Sequence, residues 1–264
     1  MIRTRTECAE RLSQDRTIPL STPERADQYH RDPIVRDLEI MAKATNYRNW
    51  ILSHYFGFIG KRVLEIGAGI GNYTEVLTDR EVVIAIDNHE PCVDYLRDRF
   101  KGHKNIAPLK MDISSSLSLT LREYELDTAI CLNVLEHIYD DIEALRTIRA
   151  ILSKYGKIIL LVPAFQFLYG SIDRLVGHHR RYTKNEINKK LNSAGFEVND
   201  IFYMNSIAVL AWFVNNRILN IKEESFGQVL LYDRRVVPVL RKIEEIMRPP
   251  FGLSVVAIAS KNMR

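Results

Sequence analysis

Long apolar runs are missing from this chain. The longest, Ile158 to Val162 and Ile207 to Val214, fall well short of the roughly 20 residues that cross a bilayer, so no transmembrane segment is expected. Cysteine is scarce: Cys8, Cys92 and Cys131 are odd in number and lack metal-ligand spacing. That excludes a disulfide framework or a zinc knuckle and fits a reducing, cytoplasmic setting. Blocks of lysine or arginine are absent too, as is any basic stripe interleaved with aromatics, so nucleic acid is not the expected partner. The net charge of +4 and pI near 8.9 permit an acidic ligand or a membrane surface without requiring either. Near the start, Arg3, Arg5, Glu7 and Glu10 have no apolar run behind them, unlike a signal peptide. Repeats and low-complexity tracts are also lacking. What is present is 264 residues, 46% of them hydrophobic, enough for one elaborated α/β domain around one sizeable core.

The organising stretch is Arg62 to Gly71, RVLEIGAGIG. Val63, Leu64 and Ile66 form a buried strand that runs into Gly67, Gly69 and Gly71, and a helix-compatible segment, Asn72 to Asp79, follows. Glycine there permits positive φ and lets a ligand approach with no Cβ in the way. A second strand, Glu81 to Ile86, ends in Asp87, about twenty residues after the first glycine, where a ribose-binding carboxylate belongs. Dinucleotide enzymes space their glycines G-x-G-x-x-G and aim a helix N-terminus at a pyrophosphate. Here the spacing is G-x-G-x-G behind Glu65, and a carboxylate suits an amine better than a pyrophosphate.

Further βα units follow. Pro91 to Phe100 reads as a helix and Asn105 to Leu109 as a third strand, ending in Asp112 and Ile113. Asp127 to Leu132 is a fourth strand that empties into Asn133-Val134-Leu135-Glu136-His137. Asp140 to Leu152 is a helix, and Gly156 to Val162 is a fifth strand, continuous and apolar as a central parallel strand should be. A dense segment, FQFLYGSIDRLVGHHRRYT, precedes a helix at Lys184 to Ala194 and is too long for a mere connector. Strands from Gly195 to about Tyr203 and from Leu253 to Ser260 close the pattern. Between them lie an apolar helix, Ile207 to Leu219, and an amphipathic one, Val229 to Met247, interrupted near Pro238.

With Glu65, the glycines, Asp87, Asp112 and the cluster after the fourth strand in view, the chain resembles the class I S-adenosylmethionine-dependent methyltransferases, from roughly Tyr47 to the C-terminus. The run Asp173 to Tyr182, with a Gly-His, two arginines and a tyrosine, is similar to the type that serves glycan and secondary-metabolite pathways. The resemblance implies a doubly wound, seven-stranded, mostly parallel sheet with an antiparallel last strand. Residues 1–56 would then form an N-terminal arm and cap helices, and 57–264 the catalytic domain, with a helical insert at about 205–250. It implies S-adenosylmethionine as cofactor and a small-molecule, sugar or lipid-linked acceptor, methylated at oxygen. By the same resemblance Glu65 holds the methionine end, with Gly67, Ala68 and Gly69 beside it. Asp87 and Asn88 hold the ribose, Asp112 and Ile113 the adenine, Asn133 sits by the methyl group, and Tyr47 closes over the site from the N-terminal helices.

For the acceptor proton, His178 is the leading base and His137 the next, because imidazole titrates near neutrality. Two adjacent histidines cannot face the same way in an extended segment, so one of His178 and His179 is expected to act and one to pack. Arg180 and Arg181 suit an acidic acceptor through their forked donors, with His179 and Tyr182 beside them; equally, one arginine pairs with Asp173 or Glu186 and holds the loop. Some methyltransferases bind a divalent ion through Glu-x-x-Glu-His after the fourth strand. Here the first position is Asn133, leaving Glu136, His137 and His178 an incomplete set, so no metal is expected. The insert, with Arg234, Arg235, Arg241 and Lys242, leaves open an acceptor cover, a second copy or a peripheral membrane contact. Two rivals remain: a nucleotide-dependent oxidoreductase, and a non-catalytic partner protein that keeps the fold.

Overall fold

A computed structural model of the chain describes residues 29–215 and 226–261. The expected arm, Met1 to Ala26, and the distal part of the first insert helix lie outside the described residues. Two helices, α1 (Pro33–Ala42) and α2 (Thr45–Tyr55), precede β1 (Arg62–Ile66). Then come β2 (Val82–Asp87), α3 (Glu90–Phe100), β3 (Ile106–Lys110) and β4 (Thr128–Leu132). The second half comprises α4 (Asp141–Ile151), β5 (Lys157–Pro163), the short α5 (Ser171–Leu175) and α6 (Lys184–Ser193). It continues with β6 (Phe196–Met204), α7 (Ala208–Phe213), α8 (Phe226–Leu231), α9 (Val237–Ile246) and β7 (Ser254–Lys261).

The seven strands are ordered β3-β2-β1-β4-β5-β7-β6. All pairs among β3, β2, β1, β4 and β5 are parallel, and β7 slots between β5 and β6 antiparallel to both. This is the sheet expected from the βα units and the terminal strand pair. Because the chain winds outward from β1 in one direction and from β4 in the other, a crevice opens at the carboxyl ends of those two strands. Strand alternation divides the core. Leu64, Ile66, Ile84, Cys131, Leu160 and Val162 face α4 and α6 through Leu145, Ile148, Ile187 and Leu191. On the opposite face Val63, Val83, Ile130, Ile159 and Phe202 meet Trp50, Tyr55, Leu96 and Leu240 from α2, α3 and α9. Pro108, which donates nothing to a ladder, sits in β3, an edge strand where the loss is tolerated.

Two expectations need correction. Asn72 to Asp79 is not an α-helix but turn plus a single 3₁₀ segment, Thr74–Leu77. The polar groups that would serve a helix are taken elsewhere: Asn72 Nδ2 donates to the Leu38 carbonyl at 3.0 Å, and Asn105 Nδ2 donates to the carbonyls of Thr78 and Arg80 at 3.1 and 2.8 Å. In the insert, the interruption lies before Pro238 rather than at it. A π-helical turn, Tyr232–Val236, absorbs the irregularity, and Pro238 sits in the first turn of α9, where its missing N–H costs nothing.

The insert is tied to the cap helices. Asp233, buried in the π turn, accepts from the backbone N–H groups of Asn46 at 3.3 Å and Tyr47 at 2.8 Å, and from Asn46 Nδ2 at 3.1 Å. Helix α2 has no side-chain cap of its own. A residue nearly two hundred positions away therefore serves as its N-cap.

Candidate active site

The glycine turn is held by strand-end backbone. Gly67 and Ala68 donate to the Ile86 carbonyl at 2.9 and 3.0 Å, and Asp87 Oδ2 accepts from the Gly69 N–H at 2.8 Å. Gly67 has φ 69°, and a Cβ there would lie 2.3 Å from Val134 Cγ2, so the turn packs directly on the loop after β4. Gly69 has φ 54° and is covered by Leu38 of α1. Only glycine fits both demands at position 67 without strain.

Glu65 points into this turn. It is 3% exposed and accepts a 2.6 Å hydrogen bond from Thr74 Oγ1. Burial pushes its carboxyl up to about 7, against the lowering by Thr74 and with the Asp87 charge adding to the rise. Such a group gains most from an incoming cation, which an ammonium supplies. Thr74 was not foreseen as its partner, since a threonine in a glycine-rich turn reads as an ordinary loop residue.

The other residues assigned to the donor are distributed as follows. Asp87 lies at the end of β2 and also accepts from the His89 N–H at 2.9 Å through Oδ1, while Asn88 is exposed beside it. Asp112 is exposed and accepts from the Ser114 N–H at 2.8 Å. Ile113 is 3% exposed and belongs to the core with Leu121 and Leu126, so little of it faces a ligand. Tyr47 packs edge-on against Trp50 at 6.2 Å between ring centres, near Tyr73 of the glycine turn. Asn133 ends β4 with φ 52°, and its N–H donates to the Leu161 carbonyl at 2.8 Å. Phe165, just past β5, has φ 62°. Non-glycine residues held in this region cost about 1–3 kcal/mol each and mark functional turns when they cluster, as these two do at adjacent strand ends.

The segment after β5 folds over the loop after β4. The His179 N–H donates to the Glu136 carbonyl at 2.8 Å, and the His137 and His178 rings meet edge to face, 4.6 Å apart. His178 Nδ1 lies 2.8 Å from Asp173 Oδ1, and the same oxygen accepts from Arg181 Nε at 2.8 Å, while Oδ2 accepts from the Gly170 N–H at 2.9 Å. Burial alone would raise Asp173, but the hydrogen bonds from His178 and Arg181 hold it below the usual carboxylate range. It stays ionised and fixes the His178 tautomer with the proton on Nδ1. Burial, with the charges of His178 and His179, pushes His137 down to about 4. His179 is exposed and stands edge-on to Tyr139. As expected, the two adjacent histidines face apart.

Arg181 and Tyr182, expected at the acceptor, are buried and paired within the fold. Arg181 is 4% exposed, committed to Asp173, with its guanidinium 4.7 Å above the Trp212 ring. Tyr182 is 1% exposed, and its hydroxyl donates to Asp141 Oδ2 at 2.9 Å. Asp141 is a buried hub that also pairs with Arg180 at 3.0 Å and Lys190 at 2.7 Å. A carboxylate at a helix start gave no sequence signal for that role. Arg180 alone of the pair stays partly open.

Glu136 is fully buried, and neither carboxylate oxygen has a hydrogen-bond partner; His178 Nε2 lies 3.8 Å from Oε1. Next to this network α7 presents an apolar groove of about 540 Å³, lined by Phe167, Ile207, Leu210, Phe213 and Phe251. Trp212 of the same helix donates from Nε1 to the Leu168 carbonyl at 3.3 Å, which joins the groove to the Arg181–Asp173–His178 cluster.

The family described as a methyltransferase domain matches residues 36–201. Among solved structures, a SAM-dependent methyltransferase from Archaeoglobus fulgidus is 20% identical, with 83% of this chain and 94% of that one covered and a TM-score of 0.54. Another from Mesorhizobium loti is 16% identical over 80% of this chain and 98% of that one, with a TM-score of 0.55. The magnesium protoporphyrin IX methyltransferase of Synechocystis, solved with bound SAH, is 14% identical over 90% of this chain and 93% of that one, with a TM-score of 0.52. Likeness at these identities shows a shared fold. No curated protein matches the chain.

Proposed function

Because the chain belongs to the methyltransferase-domain family, with S-adenosylmethionine as its cofactor, we propose that it methylates an oxygen of a small-molecule, glycan or lipid-linked acceptor, and that the acceptor carries an apolar part. The residues present fit the donor: a buried Glu65 whose carboxyl is raised by desolvation, a turn at Gly67 and Gly69 with no room for side chains, and Asp87 at the end of β2. Glu65 would hold the ammonium, Asp87 and Asn88 the ribose, Asp112 the adenine, and Asn133 the region of the methyl group, with α1 and α2 as the cap of a domain running from residue 57. When bound, the donor supplies an activated methyl group, its carbon–sulfur bond breaking as the new carbon–oxygen bond forms. The chain's own work is alignment and proton removal. His178, with Nδ1 turned to Asp173, leaves the Nε2 lone pair to take the acceptor proton. Arg180 would meet an acidic group on the acceptor.

The observation that carries the acceptor reading is the apolar groove beside this network. A headgroup positioned by Arg180 and His179 and a chain lying along α7 would use both surfaces. Among the described residues no helix is long and apolar enough to cross a membrane, so such an acceptor would be met in solution or at a membrane surface. Free, buried thiols at Cys92 and Cys131 agree with a cytoplasmic setting.

Calorimetry of the purified protein with S-adenosylmethionine, and with NAD in parallel, tests the first half: micromolar binding of the former alone is expected. Binding of NAD alone would restore the oxidoreductase, and binding of neither the non-catalytic partner. For the second half, hydroxylated acceptors that differ only in an alkyl chain are compared in a labelled-methyl assay. The alkylated ones should be methylated with at least tenfold higher kcat/KM, and Leu210→Asp should erase the difference. Equal rates would end the apolar-acceptor reading.

A further inference from the structure

We infer that Glu136, His137 and His178 form a binding site for a divalent first-row transition-metal ion. One candidate ligand atom from each lies within 4.8 Å of the others. The strongest observation is Glu136: it is 0% exposed, and both of its oxygens lack hydrogen-bond partners. A buried carboxylate in that condition costs several kcal/mol unless something cationic or a donor meets it, so nearly all are met. Glu136 lies in a 3₁₀ turn, and its backbone is held there by the His179 N–H, which donates to its carbonyl at 2.8 Å.

The spacing favours an ion over a direct bond. His178 Nε2 and Glu136 Oε1 are 3.8 Å apart, too far for a hydrogen bond and close to the separation of two ligands that share one ion at about 2.0–2.2 Å. His178 is prepared for ligation: Nδ1 is tied to Asp173, which is itself fixed by Arg181 and Gly170. A carboxylate behind a ligating imidazole is the usual outer arrangement of a metal histidine, setting its tautomer and orientation. The nearby cation that would oppose an ion, Arg181, is engaged with Asp173 and the Trp212 ring, and exposed His179 faces Tyr139. Two imidazoles and one carboxylate suit Zn²⁺, Co²⁺, Fe²⁺ or Mn²⁺ rather than Mg²⁺ or Ca²⁺, and they leave coordination positions open. The sequence argued against a metal because Asn133 stands where the motif has its first carboxylate; the fold brings the remaining Glu136, His137 and His178 together.

On the reading of the preceding section, an acceptor oxygen at such an ion would lose its proton more readily. His178 would then act as ligand and not as base, since one lone pair cannot do both. Metal binding is measured on full-length, tag-free protein, freed of metal with a chelator and titrated with Co²⁺, by equilibrium dialysis and by the visible absorption of the bound ion. One equivalent per chain is expected, displaced by Zn²⁺. Glu136→Gln and His178→Gln should each weaken binding at least tenfold, and Asp173→Asn by ten- to a hundredfold. His137→Gln, at a less buried position, serves should either of the first two fail to fold, and retained S-adenosylmethionine binding by calorimetry certifies each variant. No stoichiometric Co²⁺, or parent affinity in Glu136→Gln, overturns the site. Donor binding without Co²⁺ sinks the metal site alone, and Co²⁺ binding without donor binding sinks the functional reading alone.

Discussion

At the scale of single residues, the chain places carboxylates where their environments push them apart. Glu65 is raised to about 7 by burial while Asp173 is held low by its histidine and arginine, although both are nearly inaccessible. Asp173 receives N–H donors from Gly170, His178 and Arg181 and pairs directly with that arginine, whereas at Glu65 desolvation outweighs the hydrogen bonding from Thr74. If the donor's ammonium meets Glu65, binding favours the ionised form and releases a proton below about pH 7. Affinity for S-adenosylmethionine should therefore rise as pH rises through about 7 and level off above it. Calorimetry across that range, in buffers of different ionisation enthalpy, reads both the trend and the proton. In Glu65→Gln the slope should vanish and affinity fall about tenfold, the equivalent of one lost charge-assisted hydrogen bond; an unchanged slope would place the titrating group elsewhere.

At the scale of elements, the insert between β6 and β7 is joined to the start of the domain. Asp233 caps α2, and Glu244 of α9 accepts from the Asn205 and Ser206 N–H groups at 2.9 and 2.8 Å, fixing the exit from β6. Helix α2 in turn carries Tyr47 and Trp50 toward the glycine turn. Asp233→Ala should lower unfolding free energy by about 1–2 kcal/mol, the usual cost of an N-cap, and more if Asn46 is left unpaired. Urea denaturation measures this, and the same variant should loosen donor binding by weakening the α2 cover. A stability equal to the parent would mean that water replaces the carboxylate.

At the scale of the whole molecule, opposed buried groups set the pH response of the donor-free, metal-free protein. Burial raises Glu65 to about 7 and Glu136 to about 8 from 4.5, so the folded state holds protons the unfolded chain has lost, and stability falls as pH climbs through that window. Burial lowers His54 to about 4 from 6.5, so the unfolded chain binds the extra proton and this contribution falls as pH drops through that range. Between 4.5 and 6.5 the histidine offsets part of the carboxylate trend, and from 6.5 to about 8 only the carboxylates act. Thermal unfolding should thus show a shallow decline of the midpoint in mild acid and a steeper one above pH 6.5. A midpoint that climbs from pH 6.5 to 8 would contradict the burial of these carboxylates.

Sequence alone determined the parallel part of the sheet and the glycine turn between Glu65 and Asp87, because those features are local: apolar runs of strand length, glycines close together in the chain, and an acidic residue one βα unit later. The antiparallel last strand followed from the family resemblance that those motifs carry, and adjacency in an extended segment is what turns the rings of His178 and His179 apart. What the tertiary structure decided are contacts between distant segments. Arg181 and Tyr182 read as acceptor-binding side chains, with an arginine paired to Asp173 as the other reading, and the fold buries them against Asp173 and Asp141. Asp233, which carries no sequence signal for the role, caps α2. Glu136, His137 and His178 read as an incomplete motif and converge at one point. Burial and pairing depend on which segments the fold lays across each other, and no local pattern carries that information.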